Sequence, residues 1–282
     1  MRIDFTKMHG LGNDFIVFEA PADGRLPSSA ALRRLAERHT GIGFDQALVL
    51  ERPHRPDTAA FYRIFNADGH EVEQCGNGAR CVAYLLHRRL HAPSLVLDSK
   101  GGLVHAQVRA SGEVSVDMGI PSFEPRALPF DAAQERSSYD LLVDGRTVQI
   151  GAVSLGNPHA VLLVEDVELA PVAELGAAIE SHPRFPSRVN VGFLQVIDRG
   201  HVRLRVYERG VGETLACGTG ACAAVAIGRR RELLGPQVQV EARGGALRVD
   251  WEGPGRPIWL TGPASVAFEG HVEIEDDSRP TP

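Results

Sequence analysis

An internal repeat is the feature of this sequence that most limits how the chain can fold. The stretches QCGNGA (74–79) and ACGTGA (216–221) each place Cys-Gly-x-Gly-Ala ahead of an apolar run, 142 residues apart. The same alignment pairs further residues: Arg63 with Arg205, Glu71 with Glu213 and, at an offset of 144, Gly12-Asn13 with Gly156-Asn157. Several matches at nearly one spacing, close to half of a 282-residue chain, indicate duplication. The sequence therefore predicts two similar domains.

Hydrophobic periodicity predicts the content of each domain. Most of the chain has the pattern of short strands separated by Gly, Asp and Pro turns, with hairpins at ASGE (110–113) and DRGH (198–201). Each half also holds one segment, 79–89 or 220–233, whose first turns are apolar on every side. Such a helix must be enclosed. The predicted fold class is α+β, with two domains related by pseudo-two-fold duplication. Each is a curved β-sheet wrapped around a central helix, and the active site lies between them.

Capping serines, a glycine and a proline-rich stretch predict one further helix and the break between the domains. Ser28 or Ser29 is expected to cap a helix from Ala30 to about His39, with Gly41 after its end. A Pro-rich stretch, MGIPSFEPRALPF (118–130), marks the break between the halves. The tail EDDSRPTP (275–282) is expected to fray.

Composition excludes several classes of function. The net charge of −6 and the pI of 6.0 do not fit a nucleic-acid-binding protein. No secretory signal or membrane-length apolar stretch is visible, so a cytoplasmic protein with no membrane partner is expected. Only Lys7 and Lys100 could form a Schiff base, and the cysteine spacings C-x5-C and C-x4-C do not match common zinc sites.

The repeated cysteines are the strongest candidates for chemistry. Cys75 and Cys217 each stand just ahead of a helix N-terminus, where backbone N–H groups and the helix dipole favour an anion and lower a thiol pKa. Cys81 and Cys222 lie inside the apolar helices and are interpreted as small buried hydrophobes. If the halves face each other, the two thiols approach one ligand from opposite sides. That arrangement suits inversion of a carbon stereocentre, and it requires no pyridoxal phosphate, metal or other cofactor.

With these residues in view, the sequence resembles the diaminopimelate epimerase family over nearly its whole length. The motifs that carry the resemblance are KMHGLGNDF (7–15), GFDQ (43–46), FNADG (65–69), QCGNGARC (74–81), GNPHAV (156–161), RVNVGF (188–193) and ERGVGETLACGTGACA (208–223). The resemblance implies a homodimeric epimerase, independent of pyridoxal phosphate, that interconverts LL- and meso-2,6-diaminopimelate in lysine and peptidoglycan precursor biosynthesis. It also implies domains of 1–118 plus 264–282 and of 119–263.

The resemblance also implies roles for individual residues. Cys75 and Cys217 would be the catalytic acid/base pair, and His159 and Glu208 would adjust their protonation. Substrate-binding side chains would come from Asn13, Gln46, Asn66, Asn157, Asn190 and Arg209. Backbone N–H groups of Gly76, Asn77, Gly218 and Thr219 would hold the reacting carboxylate. Two positions depart from the family pattern: Gly192 stands where an acidic residue is common, and Phe268 where a tyrosine is common.

Three other functions stay open at the level of sequence. The first is a cofactor-independent racemase or isomerase of the same fold that acts on proline or hydroxyproline. The second is a thiol–disulfide protein that uses Cys75 and Cys217, although a C-x-x-C motif is missing. The third is a non-catalytic binding protein, which would leave the paired thiols unexplained. The stretches around Asn13, Asn66, Asn190 and Arg209 favour the epimerase, since they would recognise a second amino-acid group.

Overall fold

The computed structural model describes residues 1–73 and 75–274, so the tail predicted to fray (275–282) lies outside the described residues. The chain divides into two compact units. The first unit joins Met1–Val116 to the chain from Pro263 onward, and the second unit is Asp117–Gly262. Each unit has its own hydrophobic core, which includes Phe18 and Leu32 in the first and Phe130 and Phe193 in the second.

Short strands dominate both units. The first unit contains β1 (Arg2–Gly10), β2 (Asn13–Glu19), α1 (Ser29–Ala36), β3 (Gln46–Glu51), β4 (Ala60–Asn66), β5 (Glu71–Val72), α2 (Gly76–Leu90), β6 (Ser94–Ser99), β7 (Gly102–Val108) and β8 (Val114–Asp117). The second contains β9 (Tyr139–Val143), β10 (Arg146–Ser154), β11 (Pro158–Leu163), α3 (Val172–Glu180), β12 (Asn190–Asp198), β13 (His201–Glu208), β14 (Gly212–Thr214), α4 (Gly218–Arg230), β15 (Gln237–Ala242), β16 (Gly245–Trp251) and β17 (Ile258–Gly262). A last strand, β18 (Ser265–Glu273), returns to the first unit.

The two units repeat one order of strand pairing. In the first, β1 pairs antiparallel with β2, β2 parallel with β3, β3 antiparallel with β4, β4 parallel with β6, and β6 antiparallel with β7. In the second, the same relations link β10, β11, β12, β13, β15 and β16 in turn. The predicted duplication is confirmed. One difference is that the remaining neighbour of β1 is β18, whereas β10 pairs with the preceding strand β9.

Helices α2 and α4 are the enclosed helices that the apolar segments predict. Helix α4 packs against strands from across its sheet, β10 to β13 and β16 to β17, and its residues from Gly220 to Gly228 are all buried. Helix α2 packs in the same way against β1, β2, β6 and β7. A single helix can touch such distant strands because the sheet curves around it, so the predicted form of each unit is confirmed.

Two predicted helix ends were wrong. Helix α1 is capped by Ser28 as expected but ends at Ala36, because the loop turns back and the N–H groups of Ile42 and Gly43 bond to the Leu35 carbonyl. Helix α4 ends at Arg230 rather than 233. Its last carbonyls are satisfied by a turn in which Glu232 adopts a φ of 62°. Both predicted hairpin turns are present.

Helix α3 was not predicted from the sequence. This helix connects the parallel strands β11 and β12, as α1 connects the parallel strands β2 and β3. A parallel pair requires such a crossover, and a helix is its usual form. The duplication therefore includes an outer helix in each unit as well as an enclosed one.

A matched ion pair stabilises the hairpin that precedes each cysteine. In the first unit, Arg63 on β4 binds Glu71 on β5 through two hydrogen bonds of 2.7 and 3.0 Å. In the second, Arg205 on β13 binds Glu213 on β14 through bonds of 2.7 and 2.9 Å. Both pairs have the two-pronged geometry that arginine forms with a carboxylate. Three residues separate each glutamate from its cysteine, so the pair fixes the approach of the chain to the helix N-terminus.

The two residues that depart from the family pattern, Gly192 and Phe268, make ordinary packing contacts. Gly192 lies on β12, and a Cβ built there would lie 3.5 Å from the nearest atom of Leu204, which is ordinary contact. Phe268 on β18 is half-exposed, and its ring packs edge-on against Phe5 at 6.0 Å between centroids. Neither position disturbs the local fold.

Candidate active-site residues in each unit

Both repeated cysteines occupy the N-cap position of an enclosed helix. Cys75 has extended backbone angles (φ −151°, ψ 106°), and its sulfur accepts a hydrogen bond of 3.3 Å from the Gly78 N–H group. Cys217 caps α4 with similar angles (φ −115°, ψ 113°). The unpaired N–H groups of a helix N-terminus favour negative charge at this position. Each cysteine therefore stands at a helix end that favours an anion.

The predicted amides of the first unit meet at one end of its sheet. Strand register places Phe15 beside Gln46 and Gln46 opposite Asn66, so that Asn13, Gln46 and Asn66 lie near the same edge. The Gln46 amide donates to Asn66 Oδ1 at 2.8 Å, and the Asn77 amide donates to Asn13 Oδ1 at 3.2 Å. The Cys75 sulfur lies 3.9 Å from Asn13 Oδ1. Among these amides, that of Asn13 is the one in contact with the Cys75 sulfur.

In the second unit, a chain of hydrogen bonds connects Cys217 to a buried histidine. Cys217 Sγ lies 3.5 Å from Thr219 Oγ1, to which Asn157 Nδ2 donates at 3.3 Å. Asn157 Oδ1 in turn lies 3.0 Å from His159 Nε2. Burial, together with the positive charge of Arg209, lowers the pKa of His159 to about 3. The imidazole is therefore neutral, and it reaches the cysteine region through Asn157.

Glu208 is the charged group beside Cys217. Its carboxylate accepts a hydrogen bond of 2.5 Å from Thr214 Oγ1. Burial raises the pKa of Cys217 well above its usual value, and the Glu208 charge raises it further. Hydrogen bonds from the Thr219 hydroxyl and the Gly220 N–H group act in the opposite direction. Because an anion next to a buried thiol disfavours the thiolate, Cys217 is held in its protonated form in this structure.

The remaining predicted binding residues adjoin each other at the end of β13. Asn190 is buried, donates to the Pro158 carbonyl at 3.0 Å, and accepts the Arg209 backbone N–H at 3.0 Å. The Arg209 guanidinium donates to the Ser187 carbonyl at 3.0 Å and is otherwise exposed. An exposed guanidinium that is anchored at one nitrogen can still bind a carboxylate through the others.

A charged cluster behind Asn13 was not anticipated from the sequence. Asp14 binds Lys7 and Arg38, and Arg38 also binds Asp45 at 2.6 Å. Burial would raise the pKa of Asp14, but the hydrogen bonds and charges of Arg38 and Lys7 lower it to about 2. Asp45 receives the Asn13 amide N–H at 2.9 Å. The sequence signal for this cluster was the aspartate in each of the motifs GNDF and GFDQ. Asp14 follows Asn13 in the first motif, and Asp45 follows Phe44 in the second.

Residues 1–73 and 75–274 lack the features of a metal site and of a membrane-spanning helix. Within those residues, no group of three or more His, Cys, Asp or Glu side chains has the arrangement of a metal site. No described helix is both long enough and apolar enough to span a membrane.

Comparison with solved structures defines the class of fold. A hydroxyproline epimerase from Agrobacterium vitis superposes with a TM-score of 0.71 at 18% identity, covering 98% of this chain and 94% of that one. A phenazine biosynthesis protein of the PhzF family from Bacillus anthracis superposes with a TM-score of 0.68 at 19% identity, covering 97% and 100%. The chain therefore has the duplicated fold that these epimerase and PhzF proteins share.

Sequence comparison identifies the family within that fold. The family model described as diaminopimelate epimerase matches residues 5–124 and 151–267. Diaminopimelate epimerase from Nitrosomonas europaea is 54% identical over 276 residues, and that from Thioalkalivibrio sulfidiphilus is 55% identical over 278. Each match covers 97% of this chain and all of the relative. The chain belongs to the diaminopimelate epimerase family, so the resemblance drawn from its motifs is confirmed.

Proposed function

We propose that this chain interconverts LL-2,6-diaminopimelate and meso-2,6-diaminopimelate by proton transfer at one α-carbon. The observation that carries the proposal is the pair of cysteines at the N-caps of two equivalent enclosed helices, in a chain of this family. The reaction serves lysine and peptidoglycan precursor biosynthesis. It proceeds in the cytoplasm, where thiols stay reduced.

The proposed step uses one cysteine as base and the other as acid. A thiolate takes the α-proton from one face, so that a C–H bond breaks and an S–H bond forms. The opposite thiol then gives its proton to the other face, and a new C–H bond forms with inverted configuration. Nothing is oxidised or reduced, and no cofactor is needed. The raised pKa of Cys217 supports a resting state in which Cys217 is the acid and Cys75 is the base. One isomer reacts from that state, and the reverse reaction exchanges the two roles.

Helix N-termini supply the electrostatic part of the proposal. Removal of an α-proton pushes negative charge onto the substrate carboxylate, and fixed N–H donors lower the energy of that state. The donors proposed for this role are the backbone N–H groups of Gly76, Asn77, Gly218 and Thr219. His159 and Glu208 would control the protonation of Cys217, through Asn157 in one case and by direct charge in the other.

The distal half of the substrate carries a second ammonium and a second carboxylate. Arg209 is proposed to bind that carboxylate, since its guanidinium is exposed and anchored at one nitrogen. The side-chain amides of Asn13, Gln46, Asn66, Asn157 and Asn190 offer both donors and acceptors, which suits a substrate with both charges. A homodimer is proposed from the family, and the half-exposed Phe268 ring on β18 is available for such an interface.

Exchange of the α-proton tests this function directly. LL-diaminopimelate is incubated in D2O with reduced enzyme and without pyridoxal phosphate, and NMR follows deuterium at the α-carbon and formation of the meso isomer. We expect both signals in the wild type. Cys75→Ala and Cys217→Ala should each lower epimerisation by roughly 10²–10⁴-fold, the usual contribution of a general acid or base. No exchange in the wild type would overturn the substrate assignment, and proline-type substrates would be tested next.

A further inference from the structure

The orientation of the Asn13 amide is set by groups on both sides of it. Its oxygen faces Cys75 Sγ at 3.9 Å and accepts the Asn77 amide at 3.2 Å. Its nitrogen faces away and donates to Asp45 Oδ2 at 2.9 Å. An amide has similar shape in both orientations and can present either an acceptor or a donor to the thiol. The surroundings therefore decide which one Cys75 meets.

Asp45 is the group that makes one orientation obligatory. A carboxylate only accepts hydrogen bonds, so it must face the amide nitrogen and never the amide oxygen. Asp45 is itself fixed on three sides. It receives the Asp14 backbone N–H at 3.1 Å and the Arg38 guanidinium at 2.6 Å, and its own N–H donates to Asp14 Oδ1 at 3.0 Å. The acceptor therefore stays in place while Cys75 changes protonation.

We propose that Asp45 is a positioning residue for Cys75, which holds the Asn13 amide with its oxygen toward the sulfur. The inference rests on the proposed function of Cys75 as a proton carrier. An amide oxygen accepts the S–H proton and favours the thiol, whereas an amide nitrogen would donate to a thiolate and favour that form. Asp45 thereby restrains ionisation of Cys75 in the absence of substrate.

Other groups that face Cys75 also affect the balance between its thiol and thiolate forms. The Gly78 N–H group on α2 donates to the sulfur and favours the thiolate. Tyr62 on β4 and Cys81 on α2 are fully buried, and each lies close enough to interact electrostatically with Cys75. Both are held neutral by burial, which raises the pKa of Cys81 to about 12 and raises that of Tyr62 as well. Unlike these groups, the Asn13 amide can present either an acceptor or a donor to the sulfur.

The second unit has no counterpart of this device. At the matching offset of 144, Val189 stands in place of Asp45, and Asn157 stands in place of Asn13. Asn157 uses its nitrogen on Thr219 and its oxygen on His159. The orientation of that amide is therefore set by a hydroxyl and an imidazole, and the carboxylate is specific to Cys75.

Replacement of Asp45 by asparagine tests the proposal. The new side chain has the same size but can donate as well as accept, so the Asn13 amide is free to turn. Alkylation of Cys75 by iodoacetamide is followed from pH 6 to pH 10 in a Cys217→Ala background, in which the remaining two thiols, Cys81 and Cys222, are buried. We expect the midpoint of the Asp45→Asn profile to move to lower pH, with alkylation at pH 7 at least about threefold faster, the effect of a half-unit shift.

A double-mutant cycle separates orientation from simple loss of charge. Removal of the Asp45 charge also favours a nearby thiolate, whichever way the amide points. In an Asn13→Ala background there is no amide to turn and only the charge effect remains, so Asp45→Asn should move the midpoint less than it does in the parent background. An equal shift in both backgrounds would overturn the proposal. If Asp45→Asn does not fold by circular dichroism, Asn13→Ala alone decides: a midpoint identical to that of the parent protein contradicts it.

The alkylation profile needs no substrate, so it is independent of the proposed reaction. If the wild type fails to epimerise LL-diaminopimelate, the proposed function is contradicted but the proposed orientation of the Asn13 amide is not. Wild type that epimerises, together with an unchanged midpoint in Asp45→Asn, would remove the positioning role alone. Where both hold, Asp45→Asn should lower kcat more than it raises KM. The reason is that the substitution alters the ionisation of Cys75, and Cys75 carries the proton rather than binding the substrate.

Discussion

The two units share a scaffold and differ in what surrounds the cysteine. In both, a short hairpin leads to a cysteine at the N-cap of an enclosed helix. Cys75 is partly exposed and lies among amides, whereas Cys217 is 7% exposed and lies beside a carboxylate. The scaffold places a sulfur at a helix N-terminus, and a few neighbouring side chains then set its protonation. Duplication thus supplied two equal positions that later became chemically unequal.

Strand register shows where the inequality arises. The pair His159–Asn190 in the second unit corresponds to Phe15–Gln46 in the first. Glu208, at the end of β13, corresponds to Asn66 at the end of β4. One unit therefore replaces an apolar ring by an imidazole and a neutral amide by an anion. Asn66 and Glu208 are the last residues of their strands, whereas Phe15 and His159 are buried near the start of theirs.

The largest expected difference between the units comes from the glycines behind the two sulfurs. A Cβ at Gly220 would lie 3.2 and 3.3 Å from Cys217 Cβ and Sγ, whereas a Cβ at Gly78 would meet the flexible end of Leu48 at 3.1 Å. Gly220→Ala should displace the sulfur by a few tenths of an ångström and lower kcat several-fold, which is less than the roughly 10²-fold cost of a 1 Å misplacement. Gly78→Ala should have a much smaller effect. Steady-state epimerisation kinetics measure kcat for both variants. Equal losses of kcat would show that packing at the two helix N-termini is equally constrained.

A second comparison uses the matched ion pairs. Glu213→Gln and Glu71→Gln each leave an arginine without its carboxylate, which should lower the free energy of unfolding by about 1–3 kcal/mol. The loss should be larger for Glu213, because the Arg205–Glu213 side chains are 15% and 17% exposed against 31% and 23% for Arg63–Glu71. Urea titration of each variant gives the comparison. A larger loss in Glu71→Gln would mean that exposure does not rank these pairs.

A third expected difference appears in the dependence of stability on pH. His159 has a pKa of about 3 when folded and 6.5 when unfolded, so the unfolded chain binds the proton first as the pH falls. Its contribution is full above pH 6.5 and declines toward pH 3, by up to about 1.4 kcal/mol per pH unit. Phe15, its counterpart, does not titrate. His159→Gln should flatten the pH dependence of unfolding free energy between pH 4.5 and 6 in urea titrations, with a parallel profile in Phe15→Leu as the control. An unchanged slope in His159→Gln would mean that the imidazole is already protonated in the folded state.

Much of this architecture was predictable because the duplication places the same sequence pattern in both halves of the chain. The Cys-Gly-x-Gly-Ala segments located both enclosed helices, and strand alternation located most strands. Helix α3 was missed since its start, at Pro171, lacks the side-chain cap that marked α1 at Ser28. The cluster of Asp14, Arg38 and Asp45 was missed because its members come from separate segments that only the folded sheet brings together.

The return of β18 to the first unit has a consequence for synthesis of the chain. β1 emerges from the ribosome early, yet its partner β18 is made only after the whole of the second unit. Until then β1 presents an unpaired edge, which is a site for wrong association between chains. The second unit has no such delay, because β9 and β10 are adjacent in sequence and pair as a hairpin. The unit that begins first is therefore completed last, and the nascent protein depends on β18 to close the sheet that contains β1.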